Sequence, residues 1–114
     1  MNECLFCKII SGEVSSQKVY ETKDIYAFED VNPVAPTHIL IVPKRHLETM
    51  LELSDDHCQL IGSIHLAANH IARIRGIAET GFRVVTNCGR DANQTVFHIH
   101  FHLIGGRPME WPPG

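Results

Sequence analysis

The run HIHFHLI, from His98 to Ile104, alternates imidazoles with large apolar side chains. A period of two belongs to a β-strand, whose successive side chains point to opposite faces of a sheet. His98, His100 and His102 therefore face one way, and Ile99, Phe101 and Leu103 face the other. A strand divided like this needs a packed layer on its apolar side. It leaves a row of three histidines on the other.

The rest of the chain supplies the partners of that strand. LFCKIISGE (5–13) reads as a short helix closed by Gly12, and KVYETKDIYAFED (18–30) as two strands around a tight turn at Thr22 to Asp24. NPVAPT is a proline-punctuated loop. HILIVPK (38–44) is almost continuously apolar, as a central strand buried on both faces should be. Leu60, Ile61, Ile64, Ala67, Ala68, Ile71 and Ile74 recur at steps of three and four, which predicts one long helix. Ser54 is its expected N-cap, Asp55 and Asp56 fill its first turn, and Gly76 is its stop. FRVVTNC (82–88) and VFHIHFHLI (96–104) add two strands around the polar loop GRDANQ. The expected fold is α+β: a five-stranded antiparallel sheet with one long helix and one or two short ones, in a single domain over 1–114.

Composition narrows the function classes. With 114 residues, 44% hydrophobic and 20% charged, the chain can build one real core. A net charge of −3 without a basic run argues against binding a nucleic-acid backbone, yet permits a nucleotide held in a pocket. The N-terminus lacks a leader pattern, and no run approaches the roughly 18 apolar residues of a membrane span. The expectation is a cytoplasmic protein with neither nucleic-acid nor membrane partner. In a reducing compartment Cys4, Cys7, Cys58 and Cys88 are expected free or metal-bound, with Cys58 and Cys88 serving as small buried hydrophobes.

Three readings compete for the histidine row. A merely polar strand face would ordinarily mix Thr, Lys, Glu and Ser. A metal cage from all three is awkward, because alternate Cα atoms lie about 6.6 Å apart while metal–nitrogen bonds near ~2 Å must converge. A catalytic row suits the spacing, since imidazole is a nucleophile, an acid–base group and a donor to phosphate oxygens. Neighbouring imidazoles also disfavour each other's protonation. Gly105 and Gly106 follow, where backbone can approach a ligand closely.

HIHFHLI, FEDVNPVAPTHILIVPKRH, VTNCGRDANQTVFHIHFHL and the ending GGRPMEWPPG together resemble the histidine triad (HIT) superfamily, over essentially the whole chain and in order. The ending looks like that of its Hint branch, the histidine triad nucleotide-binding proteins. The resemblance implies a hydrolase of purine nucleoside 5′-phosphoramidates, with His100 as nucleophile toward the α-phosphorus and a nucleotidyl-histidine intermediate. His102 would hydrogen-bond phosphate oxygens and His98 would orient the row. Asn87, Gln94 and Thr95 match positions near the phosphate, and Asp30 matches the acceptor of the ribose hydroxyls. Leu5, Phe6, Ile9, Phe28, Glu29 and Val31 match the nucleobase cleft. A homodimer with a ten-stranded sheet is implied, in which the tail with Trp111 reaches toward the neighbour's site. Asn93 stands where many relatives carry glycine, and Thr95 where serine is common. The alternatives are a dinucleoside polyphosphate hydrolase of the Fhit-like branch and a non-catalytic nucleotide-responsive binding module.

CLFC at the front is a second signal, either a redox pair or half a zinc site. A thioredoxin-like pair would want a βαβ setting that this chain lacks. The resemblance extends to zinc-binding bacterial members, in which Cys4, Cys7, His46 and His98 would form a closed, structural S2N2 site. Zinc is therefore the expected cofactor. His57, His65 and His70 are expected on the surface of the long helix or against a partner. His38 opens a strand and has no assigned role.

Overall fold

The computed structural model describes residues 3–114. Helix α1 (Leu5–Ser11) is followed by strands β1 (Lys18–Glu21), β2 (Ile25–Glu29) and β3 (Thr37–Pro43), helix α2 (Cys58–Ile74), and strands β4 (Phe82–Val85) and β5 (Phe101–Gly105). The strands form one antiparallel sheet in the order β1-β2-β3-β5-β4. This is the α+β arrangement expected, with β3 central and every residue of it buried.

Strand parity sorts the sheet into two faces. Ile25, Ala27, Ile39, Ile41, Ile99, Phe101 and Leu103 pack against Ile64, Ala67, Ala68 and Ile71 of α2. Tyr26, Phe28, Leu40 and Val42 point the other way and meet Phe6 and Ile9 of α1. His102 lies opposite Leu40 in the β3–β5 ladder, so the histidines share this α1 face. Burial of both faces explains why β3 carries no polar alternation.

The turn before β2 is closed by Thr22, whose hydroxyl accepts from the backbone N–H groups of Asp24 and Ile25 at 3.3 and 3.1 Å. Gly12, at φ 88°, ends α1 and donates its N–H to Ile9.

Several expectations change. Ser54 caps a single 3₁₀ turn, Asp55–His57, that leads into α2 at Cys58. His57 is consequently buried, its Nδ1 accepting from the Ser54 N–H at 3.0 Å, while His65 and His70 are exposed as expected. Cys58 is exposed and Cys88 half-buried. Cys58 precedes Ile64 by six residues, about 120° away around a helix of 3.6 residues per turn. Ile74, in the last turn, is exposed as well.

The ladder of β5 begins at Phe101, not Val96: its last β3 partner is Ile41, and Pro43, which would face Ile99, has no N–H to give the ladder. Residues 98–100 are held by other groups instead. The Ile99 N–H donates to Leu47 O at 2.7 Å, and the Thr86 hydroxyl donates to His100 O at 3.0 Å.

Candidate active site and metal centre

Three backbone groups decide what each imidazole can do. A carbonyl oxygen only accepts, so a ring nitrogen facing one must carry the proton. His98 Nε2 lies 2.8 Å from Pro43 O, which leaves its Nδ1 as a lone pair. His100 Nδ1 lies 2.8 Å from His98 O, which leaves Nε2 as the lone pair and hence the nucleophilic position. His38 is set in the opposite sense: the Val34 N–H donates to its Nδ1 at 3.1 Å, so Nε2 bears the proton.

That His38 proton lies between two acceptors, His102 Nδ1 at 2.9 Å and Asp30 Oδ2 at 3.2 Å. His102 accordingly carries its own proton on Nε2, as a donor suited to a phosphate oxygen. Asp30, His38 and His102 bring their polar atoms within 4.8 Å of one another, the compactness of a metal site. The proton on His38 Nε2 stands where a cation would have to bind, so the trio is a hydrogen-bonded chain. Asp30 Oδ1 also accepts from the Asn32 N–H at 2.8 Å, so the residue holds its turn and the chain together.

Burial keeps the imidazoles neutral. His98 and His100 are both pushed down from the usual histidine range, chiefly by burial. His38 is lowered by burial too, against the opposing pull of Asp30. His102 is held down to about 4, first by burial and then by its neighbours His100 and His38. A neutral His100 keeps its lone pair at ordinary pH.

The lone pair of His98 Nδ1 points into a second cluster. Cys4 Sγ lies 3.3 Å from it, Cys7 Sγ 3.6 Å, and His46 Nδ1 3.2 Å, with Cys7 Sγ 3.5 Å from His46 Nδ1. A tetrahedral zinc with the usual bond lengths separates S and N ligands by about 3.6 Å and two N ligands by about 3.3 Å. The residues fit that ion in donor type, number and spacing. Burial raises the Cys4 thiol, so a bound cation would have to displace its proton. A cavity of about 440 Å³ is lined by Cys4 and His46 together with Glu3 and Glu48.

The remaining expected site residues divide. Phe6, Ile9 and Phe28 are buried together on the histidine face, and Leu5 and Val31 are exposed beside them. Glu29 lies on the α2 face opposite Phe28 and accepts from Arg75 Nη2, so its carboxylate does not line the cleft. Gln94 is buried, and its amide is fully engaged by backbone. Nε2 donates to Glu48 O at 2.8 Å and Val96 O at 3.1 Å, while Oε1 accepts from the Gly89 N–H at 2.9 Å. These three bonds hold the loop. Asn87 is half-buried past the end of β4, and Thr95 is exposed. Asn93 adopts φ 64°, the left-handed region in which Asn is among the better tolerated residues.

Gly105 has a packing reason, since a Cβ there would lie 2.6 Å from Ile77 Cδ1. The tail is tied down by Arg83 Nη2 to Glu110 O at 3.0 Å and by Arg107 Nε to Val34 O at 2.9 Å, yet Trp111 is 82% exposed. His38 and Thr86 are neighbours of the histidine row that sequence reasoning missed. The available signal was parity: His38 shares its face with Leu40 and, across the ladder, with His102.

A five-stranded α+β sheet carrying a histidine row beside a two-cysteine, two-histidine cluster defines a narrow class of protein. A sequence model described as HIT domain matches residues 11–109, and the chain belongs to that family. It is 45% identical over 107 residues to the Escherichia coli K12 protein named purine nucleoside phosphoramidase, covering 94% of this chain and 90% of that one. It is 46% identical over 112 residues to the 14 kDa zinc-binding protein of Zea mays, covering 96% and 87%. The fold superposes on the crystal structure of a HIT family hydrolase from Legionella pneumophila with a TM-score of 0.97, at 47% identity over 98% and 100% of the two chains. Among the described residues no helix is long and apolar enough to cross a membrane.

Proposed function

We propose that this protein hydrolyses purine nucleoside 5′-phosphoramidates through a covalent intermediate on His100. The observation that carries the reading is the hydrogen bond from His100 Nδ1–H to His98 O, which presents Nε2 as a lone pair beside the donor of His102. The similarity to a protein named purine nucleoside phosphoramidase supports the substrate class.

In the first step His100 Nε2 attacks the α-phosphorus, the P–N bond breaks, and the amine leaves as it takes up one proton. In the second, water attacks the same phosphorus, the P–Nε2 bond breaks, and one proton returns to solvent with the nucleoside monophosphate. Two easier displacements replace one hard one. His102 Nε2–H donates to a phosphate oxygen in both steps. His38 fixes the tautomer of His102, and Asp30 turns toward the ribose hydroxyls from the same chain of bonds. Cys4, Cys7, His46 and His98 would hold zinc, which in a closed four-ligand site supplies structural cross-linking and no open position.

The protein is further proposed to act in the cytoplasm as a homodimer on a nucleotide substrate. β4 is an edge strand with half-buried apolar residues, so pairing with its own copy would extend the sheet to ten strands and cover an exposed edge. The exposed Trp111 suits a tail that reaches a partner. Light scattering should give the mass of two chains. Steady-state assays should rank AMP or GMP phosphoramidate above a dinucleoside tetraphosphate. The reverse ranking would favour the dinucleoside polyphosphate reading, and inertness toward all three a binding module.

A further inference from the structure

Cys4 and Cys7 flank the first turn of α1, and their sulfurs lie within 4.8 Å of each other in the cluster completed by His46 and His98. The Cys7 N–H donates to Cys4 Sγ at 3.4 Å, so the turn that carries both sulfurs is closed on itself. A rotation about each Cα–Cβ bond brings such a pair to the ~2 Å of a disulfide. The CLFC spacing suits a redox pair as well as half a metal site, and the cluster joins the two.

The pair is within reach of solvent. Both cysteines are half-buried and His46 is exposed, and Cys4 and His46 line the cavity of about 440 Å³. A water molecule takes up about 30 Å³, so a peroxide fits there. Glu3 and Glu48 on the same walls repel an anion and admit a neutral molecule. The surrounding structure stands without the metal. Phe6 and Ile9 anchor α1 in the core formed with Tyr26, Phe28, Leu40 and Val42. His98 is fully buried, its Nε2 held 2.8 Å from Pro43 O. Departure of the metal therefore leaves its ligands in place to bind again.

We propose that Cys4 and Cys7 form a peroxide-oxidised dithiol, and that closing their disulfide expels zinc from the cluster. Metal-bound cysteines are thiolates, the nucleophilic form. The Cys4 sulfur attacks one peroxide oxygen, the O–O bond breaks, and the departing hydroxide takes a proton to become water. The Cys7 sulfur attacks the resulting sulfenic acid, the S–O bond breaks, and the S–S bond forms as a second hydroxide takes a proton. Two thiolates are oxidised and one peroxide is reduced to two waters. The cluster is left with two imidazoles, too few for a structural zinc. The inference rests on the metal assignment of the cluster and is independent of the reaction assigned to His100.

Hydrogen peroxide added to the zinc-loaded protein, with the excess then removed by catalase, tests it. A colorimetric zinc reagent follows the metal against a peroxide-free control, and peptide mapping follows the sulfurs. Release should approach one zinc per chain, in step with a peptide holding Cys4 and Cys7 that is lighter by two hydrogen atoms. A dithiol reductant followed by zinc should restore the loaded protein, with far-UV circular dichroism unchanged throughout. Protein carrying Cys58→Ser and Cys88→Ser should release as much zinc as wild type, since neither cysteine belongs to the cluster. Mapping of wild type keeps the test independent of that variant. Glutathione disulfide, an anion, should release several-fold less zinc than peroxide in the same time, and equal release would overturn the choice of oxidant. Zinc retained while Cys58 or Cys88 gains oxygen would overturn the proposal. So would release through sulfinic acids on Cys4 and Cys7, which no dithiol reverses. Protein that holds no zinc as purified yet forms the Cys4–Cys7 disulfide would refute the metal assignment and leave the redox pair standing.

Discussion

The ring of His100 and the backbone of His98 are joined by one hydrogen bond of 2.8 Å, while the ring of His98 turns away toward Cys4 and Cys7. One residue thereby touches two clusters, its carbonyl holding the proposed nucleophile and its imidazole facing the two cysteines. Alternation along a strand places the two histidines on one face; the two backbone carbonyls give them different tasks.

The metal cluster predicts a stoichiometry. Protein purified without chelator and denatured with a thiol reagent should release close to one zinc per chain by colorimetric assay, and Cys7→Ser should release far less. Less than about half an equivalent from wild type would contradict a structural site.

Acid should destabilise the fold through His102. Its folded value of about 4 lies below the ordinary 6.5, so between the two the unfolded chain binds more protons. The stabilisation is complete above 6.5 and is lost as pH falls through the window toward 4. The urea midpoint of wild type should drop more between about pH 7 and about pH 5 than that of His102→Gln, which has no such proton to bind. Equal drops would show that His102 does not titrate in this way.

Gln94 should behave as a structural residue. Replacement by Ala leaves Glu48 O, Val96 O and the Gly89 N–H without their partner, which should cost about 2 to 4 kcal/mol in urea unfolding. A loss below about 0.5 kcal/mol, of the size seen at ordinary surface positions, would show that the amide does not hold the loop.

Gly105→Ala should be destabilised by about 1 to 3 kcal/mol through overpacking against Ile77 Cδ1. Adding Ile77→Val removes that methyl, so the double variant should be more stable than the sum of the single effects predicts. Simple additivity in urea unfolding would place the strain elsewhere.

Much of this was legible in the sequence because it is written in local periodicity. Strand alternation separated His98, His100 and His102 from Ile99, Phe101 and Leu103, and the three-and-four spacing marked α2. The metal ligands were legible through the resemblance and the CLFC spacing. Long-range partners were not. Glu29 was assigned to the cleft because nothing near it reveals Arg75, 46 positions away. The structural bond of Gln94 was hidden for the same reason, its acceptor Glu48 O being just as remote. Gly105 has its reason in Ile77, on a different element. His38 had no local mark at all, and its place beside His102 emerges only when β3 pairs with β5.

The most direct test of the central claim is to look for the bond that His100 is said to form. Wild type mixed with AMP phosphoramidate, quenched in alkaline denaturant and mapped by mass spectrometry should carry an adenylyl group on His100. His100→Asn should carry none, bind AMP with affinity close to wild type, and turn over at least about a thousandfold more slowly. An adduct on another residue, or undiminished turnover by His100→Asn, would contradict the account.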